Sequence, residues 1–238
     1  MELTHFGHSC LLADFGVARL LFDPGNFSHG FEGITGLSAI LITHQHPDHA
    51  DPQRLPALVE ANPQAALYAD PQTAAMLGSD WTAVDVGDEF SIGDLTVRGT
   101  GGRHAVIHPE IPIIDNISYL VGDAEHPARL MHPGDALFVP GEPIEVLATP
   151  AAAPWMKISE AIDYLRAVDR IDAFTAALRA RARVALAGAE TSGDSQREAA
   201  VEHAPVADDE IEVGGRRSSS GRDAGHARWL FRPSSGSS

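Results

Sequence analysis

The stretch Thr43-His44-Gln45-His46-Pro47-Asp48-His49-Ala50-Asp51 constrains this chain more than any other. It places three histidines and a carboxylate within six positions, directly after the apolar run Leu37 to Ile42. Nearly continuous apolar character marks a parallel strand covered on both faces, so the run reads as a buried strand and His44 falls where it ends. In α/β sheets such strand ends are where sites are built. His44 and His46 are two apart, so in extended chain both imidazoles project to the same side and can share one tetrahedral ion at roughly 2.0–2.1 Å per nitrogen. Asp48 and His49 are adjacent and would point apart on a strand. Pro47 breaks the extended run, and a turn toward a helix would let this second pair face a second ion. Histidines also cluster on surfaces, but four ligand-type residues at this spacing behind a buried strand favour metal.

A chain of 238 residues can bury one good core, as a single α/β domain or a domain with an appendage. No window approaches the ~18 to 20 apolar residues that span a bilayer, which predicts no membrane association. The start Met1-Glu2-Leu3-Thr4-His5 lacks a basic region followed by an apolar core, so a cytoplasmic enzyme is expected. The single cysteine, Cys10, lies in an apolar strand and reads as a small core residue. The net charge of −16 is uneven: residues 1–150 hold 5 Lys/Arg against 20 Asp/Glu, and residues 151–238 hold 12 against 13. An acid-rich front half carrying the histidine motif argues against nucleic acid as a partner, since binding a polyanion relies on clustered Lys and Arg. A small anionic substrate remains compatible, because two divalent ions supply positive charge locally.

Around the motif the chain alternates. Leu3 to Phe6, Ser9 to Ala13 and Ala18 to Phe22 read as strands of a hairpin-rich opening, closed by Asp23-Pro24-Gly25, and the Gly-containing loop Asn26 to Gly36 reads as a flap over the site. Pro52 to Ala61 has helical spacing, Ala66 to Ala69 is a strand, and Asp70-Pro71 caps a short helix ended by Gly78. Val84 to Val86, Glu89 to Ile92, Leu95 to Arg98, Pro112 to Ile114, Asn116 to Val121, Leu130 to Met131 and Ile144 to Ala148 read as strands. Ser159 to Val168 reads as an amphipathic helix capped by Ser159.

The H-x-H-x-D-H pattern resembles the signature of the metallo-β-lactamase superfamily over Leu3 to Val168, and within it the L-ascorbate-6-phosphate lactonase-like group. The resemblance implies an αββα sandwich and usually two divalent ions, zinc first, with manganese or iron as alternatives. By the same resemblance His104 is the third histidine beside His44 and His46, and Asp135, in His132-Pro133-Gly134-Asp135, bridges the ions. Asp48 and His49 then serve the second ion. His108 matches the lactonase-like group, where it would stand near the substrate in a catalytic role beside Asp48. His8 matches a polar position of the family's opening strands and is a candidate pocket residue, as are Asn116, Tyr119, Trp155 and Lys157. His132 reads as a neighbour rather than a ligand.

These expectations point to metal-dependent hydrolysis of a small ester, lactone or phosphodiester by water activated between the ions. The rivals are an iron-bound oxidoreductase on the same fold, a nuclease of the RNA-processing branch, and a non-catalytic metal-binding remnant. The remnant has a specific motive. The domain resembling the family spans residues 1–168, a segment of doubtful fit, helical or irregular, spans 169–186, and 187–238 reads as a low-complexity, disordered tail. In the family a strand after the last helix ends in a histidine that completes the second metal site, whereas here no histidine occurs between His132 and His203. The second site and the C-terminal end of the fold are therefore expected to be incomplete. A shifted reading frame near Val168 to Ile171 would account for the change in composition, and His203 or His226 folding back is the alternative source of a ligand.

Overall fold

Along Arg19–Phe22 (β3), Leu20 and Phe22 alternate with Leu21, and all three are buried, so this strand has apolar layers on both faces. Ala39–Ile42 (β4) is likewise buried at every position. The computed structural model describes residues 1–172, 183–187 and 227–230. In it these two strands sit near the middle of a seven-stranded sheet. With β1 (Glu2–His5), β2 (Leu11–Asp14), β5 (Ala66–Ala69), β6 (Thr82–Ala83) and Ala227–Leu230, the order is Ala227–Leu230, β1, β2, β3, β4, β5, β6. The side through β1, β2 and β3 is antiparallel and the side from β3 to β6 is parallel.

The second sheet comprises β7 (Glu89–Ile92), β8 (Leu95–Gly101), β9 (Ile117–Gly122), β10 (Leu130–His132), β11 (Val146–Pro150) and β12 (Arg183–Ala187), in the order β12, β11, β10, β9, β8, β7. It is antiparallel from β7 to β10 and parallel from β10 to β12. Ala227–Leu230 is β13 in chain order.

Three apolar layers hold these sheets together. Leu3, Leu11, Leu20, Phe22 and Leu41 of the first sheet meet Val97, Ile117, Tyr119, Val121 and Leu130 of the second. The other face of the first sheet, with Leu12, Leu21, Ile40 and Ile42, packs against α1 (Leu55–Glu60) and α2 (Pro71–Leu77) through Leu55, Leu58 and Ala74. Leu120, Met131 and Leu147 on the outer face of the second sheet cover Tyr164 of α3 (Ile158–Asp172). The result is the αββα sandwich of the metallo-β-lactamase type. Among the described residues no helix is long and apolar enough to cross a membrane.

Several local expectations shift. Pro112 to Ile114 is irregular rather than a strand, β6 falls two residues before the expected Val84 to Val86, and α1 begins at Leu55 rather than Pro52. Ser159 lies inside α3 instead of capping it. The Glu160 carboxylate accepts from the Lys157 N–H at 2.6 Å, closing the first turn as a Glu at the third helical position can. Strand β12 runs through the segment expected to be helical or irregular, where the edge of β11 offers a backbone partner. The rest of the expected C-terminal tail, apart from β13, lies outside the described residues.

Tyr119, expected at the pocket, is fully enclosed between the sheets, and its hydroxyl donates to the Ile42 carbonyl at 3.0 Å. Tyr119→Phe should therefore cost about 1 kcal/mol of stability in urea unfolding and leave metal content unchanged. Asp70 offers a second test. Its carboxylate caps α2 by accepting from the Gln72 and Thr73 N–H groups, and burial pushes its pKa up to about 6. A folded-state value above the unfolded carboxylate value of about 3.9 means that stability is fully present below pH ~4 and lost as pH rises through about 6. Asp70→Asn should match the parent near pH 4 and exceed it by roughly 2 to 3 kcal/mol at pH 7, as read by denaturant unfolding at both values.

Candidate metal centre

The motif residues converge because four strands end at one rim of the sandwich. Asp23 follows β3, Thr43 to His49 follow β4, His104 follows β8 and Asp135 follows β10. After β4 the chain turns: the N–H groups of His49 and Ala50 both donate to the His46 carbonyl at 2.9 Å. The loop after β3 clamps this turn, with Asn26 N–H donating to Pro47 O at 2.8 Å and Asp51 N–H to Pro24 O at 3.2 Å. Gly25 is required there, because a Cβ at this position would run into the Asp48 carbonyl.

His44, His46 and His104 form one donor group. His44 Nε2 lies 3.1 Å from His46 Nδ1. His104 Nδ1 donates to the Ala105 carbonyl at 2.6 Å, so the lone pair of Nε2 points into the group. That Nε2 is buried and has no hydrogen-bond partner. Burial holds His44 well below the ordinary histidine pKa, with the neighbouring His49 adding to the effect. His46 is lowered by burial and by His104. Imidazoles whose charged form burial disfavours, as in His44 and His46, are the donors that a divalent cation accepts.

His8, Asp48 and His49 form a second donor group, and His44, His49 and Asp135 a third that joins the other two. Asp135 spans them: Oδ1 is 3.3 Å from His49 Nε2 and Oδ2 is 3.4 Å from His104 Nε2. Burial would raise the Asp135 pKa, but the adjacent His49 and His104 rings outweigh it and hold the carboxyl far below the usual range. His49 is displaced the other way. Burial opposes its charge, yet Asp135 and Asp23 together push its pKa well up. Positive charge is therefore strongly favoured between these carboxylates, and the donor set fits divalent ions at two adjacent positions.

A supporting layer, not anticipated from the sequence, fixes these side chains. The fully buried carboxylate of Asp23 takes the His49 Nδ1–H at 2.8 Å, the Thr43 N–H at 2.7 Å and the Thr43 hydroxyl at 2.7 Å. Thr43 Oγ1 also lies 3.0 Å from His44 Nδ1, so one hydroxyl orients a ligand of the first group while the carboxylate orients one of the second. The only available signal was Asp23-Pro24-Gly25 at a strand end, which reads equally as an ordinary turn.

Asn116, expected to face the pocket, is instead buried behind the Asp135 loop. Its Oδ1 accepts from the Asp135 N–H at 3.0 Å and its Nδ2 donates to Pro133 O at 2.9 Å. Gly134 adopts φ +61°, and a Cβ there would collide with Asn116 and Thr43. Trp155 reaches the centre, its indole N–H donating to Asp135 Oδ2 at 2.9 Å. His8 also stands at the centre. Lys157 is exposed at the start of α3, and His108 is exposed on the β8–β9 connection, where its Nδ1 accepts from Glu110 N–H, outside all three donor groups. His132 is not a ligand: it stacks on Phe22 and bonds to Ser9 O at 2.9 Å. Asp23→Asn keeps a residue that tolerates the φ of 44° at this position but removes the charge that fixes His49. It should weaken divalent-metal binding about 10- to 100-fold in a chelator-competition titration, with the circular-dichroism spectrum unchanged.

Comparison with known proteins agrees with this geometry. A model of the beta-lactamase superfamily domain matches residues 2–170. Protein Rv0786c of Mycobacterium tuberculosis is 79% identical over 168 residues, covering 71% of this chain and 79% of that protein. A UPF0173 metal-dependent hydrolase of Xanthobacter autotrophicus is 29% identical over 154 residues, 57% of this chain and 62% of its own length, so this chain spans less than two thirds of that relative. Among solved structures, Igni18, a metallo hydrolase of the archaeon Ignicoccus hospitalis, superposes with a TM-score of 0.55 at 16% identity over 79% of this chain and 96% of that one. With a family match that runs from β1 into α3 and takes in every residue of the three donor groups, the chain belongs to the metallo-β-lactamase superfamily.

Proposed function

We propose that the protein is a metal-dependent hydrolase of a small ester, lactone or phosphodiester, in the manner of the lactonase-like members of its superfamily. His44, His46 and His104 would hold one divalent ion, Asp48 and His49 a second, with Asp135 shared. Zinc suits this mixture of imidazole and carboxylate donors. Ions so held supply Lewis acidity toward a carbonyl or phosphoryl oxygen and make water nucleophilic near neutral pH. The observation that carries the reading is the two-sided approach of Asp135, whose oxygens lie 3.3 Å and 3.4 Å from imidazoles of different donor groups.

The protein's own part is orientation and shape. Asp23 and Thr43 hold the rings of His49 and His44, and Trp155 and Asn116 fix Asp135, so the charges need not reorganise as substrate reacts. His46 and Asp48 are only partly buried, unlike His44 and His49, and mark the open side of the centre. Beside His46 and His104 stands a wall of Ile107, Ile111 and Ile113, each substantially exposed. Apolar side chains next to a polar centre favour a substrate with an apolar group adjoining the scissile bond.

Zinc-loaded protein should cleave at least one of p-nitrophenyl acetate, an N-acyl homoserine lactone and bis(p-nitrophenyl) phosphate. Asp135→Ala should lower the rate by on the order of a hundredfold or more, the scale seen when one preorganised electrostatic contact is removed. A chelator should abolish the activity and added zinc restore it. Equal rates for the loaded parent and Asp135→Ala on all three substrates would refute the assignment.

A further inference from the structure

We propose that His8, from the turn between β1 and β2, is a protein ligand of the second divalent ion. This rests on the reading that the centre takes two ions, but not on the reaction they support. The first donor group contains three imidazoles, whereas Asp48, His49 and Asp135 would give the second ion one imidazole and two carboxylates. His8 Nε2 lies 3.1 Å from Asp48 Oδ2 and 3.3 Å from His49 Nε2. His49 Nδ1 is engaged by Asp23, so its Nε2 lone pair and that of His8 face the same point as the Asp48 oxygen. Two ring nitrogens and a carboxylate oxygen aimed at one point are mutually compatible when a cation lies among them. Asp135 Oδ1, 3.3 Å from the same His49 Nε2, belongs to the adjoining donor group, so His8, Asp48 and His49 are the three protein donors that converge here.

The backbone is built to hold this side chain in place. His8 and Asp23 are the only non-glycine residues with positive φ among the described residues, at 47° and 44°, and both aim side chains at the second donor group. A histidine pays steric strain in this region, so its retention calls for local support. That support is present: Phe6 N–H donates to Cys10 O at 2.9 Å, Cys10 N–H to Gly7 O at 3.1 Å, and His5 Nε2 bonds to His8 O at 2.7 Å. The imidazole is gripped edge-on by His49, with ring centroids 5.0 Å apart, and by Phe27 of the following loop at 5.5 Å. Strand β12 runs parallel to β11, and residues 183–202 contain no histidine.

The test is metal counting on the full chain. Metal-free protein is titrated with Zn2+ and the bound metal measured by equilibrium dialysis and elemental analysis. The parent should take two ions per chain. His8→Asn, which tolerates the positive φ but is too short to reach the ion, should take one tightly, with the weaker dissociation constant raised more than about 100-fold, beyond the range for losing an outer partner. His203→Ala and His226→Ala should still take two. Thermal unfolding of the metal-free variants checks that the fold persists. Should His8→Asn fail to fold, parent protein loaded with two 113Cd ions and labelled with 15N-histidine decides the matter, since ligation requires a one-bond coupling between cadmium and His8 Nε2. A parent that binds one ion, a His8→Asn protein that still binds two, loss of the second ion in His203→Ala or His226→Ala, or absence of that coupling would each overturn the assignment. A protein that binds two ions in a His8-dependent way yet cleaves nothing would support it while removing the hydrolase reading.

Discussion

The buried carboxylate of Asp23 is the interaction on which the rest of the centre depends. A charge with no solvent exposure is tolerated only when its oxygens are filled, and here they are filled by the Thr43 backbone, the Thr43 hydroxyl and the His49 ring. Those partners lie at the end of β4 and in the turn beyond it, so one side chain at the end of β3 locks the two neighbouring strand ends together. The same contact sets the His49 tautomer and, through the Thr43 hydroxyl, the orientation of His44. Fold and site are therefore not separable at this point: the hydrogen bonds that satisfy Asp23 are the ones that aim the ligands.

A second set of contacts holds the mouth of the site. The Arg54 guanidinium, from just before α1, pairs with Asp51 and donates to Ser28 O and Gly25 O at 2.8 Å and to Glu32 at 2.5 Å, while stacking over Phe31. These bonds join the helix that follows the motif to the loop that lies beside His8. Burial would raise the pKa of Asp51 and of Glu32, but the hydrogen bonds around Arg54 more than offset it and lower both. The loop from Gly25 to Glu32 is thereby tied to Arg54, with Phe27 presented to the His8 ring.

Electrostatically the centre is a concentration of acid in an acidic protein. Asp135 and Asp23 flank His49 and draw positive charge to it, while His44 is kept neutral by burial and the nearby His49, and His46 by burial and the nearby His104. The two effects divide the site into a neutral imidazole side and an anionic side. This asymmetry is what distinguishes the two donor groups, and Asp135, with one oxygen toward each, is the element that couples them.

In the sequence alone the class of the fold was legible through the resemblance that the H-x-H-x-D-H pattern carries, and four candidate ligands through their spacing. Continuous burial leaves a pattern in β4, a helix cap and stop leave one in Asp70-Pro71 and Gly78, and H-x-H-x-D-H brings four donors together by local spacing alone. What it did not determine are the long-range partners. Asp23 looks like a turn residue until β3 and β4 are placed side by side. Asn116 and Tyr119 look like pocket residues until the sheets close over them and turn their polar atoms to backbone carbonyls and N–H groups. His8, 41 residues from its partner His49, has no spacing signal at all, and only the packing of the β1–β2 turn against the motif brings their rings into contact. Local periodicity encodes which residues are buried and which segments turn, but a hydrogen bond across the sandwich depends on register and layer packing, and those are decided by the tertiary structure.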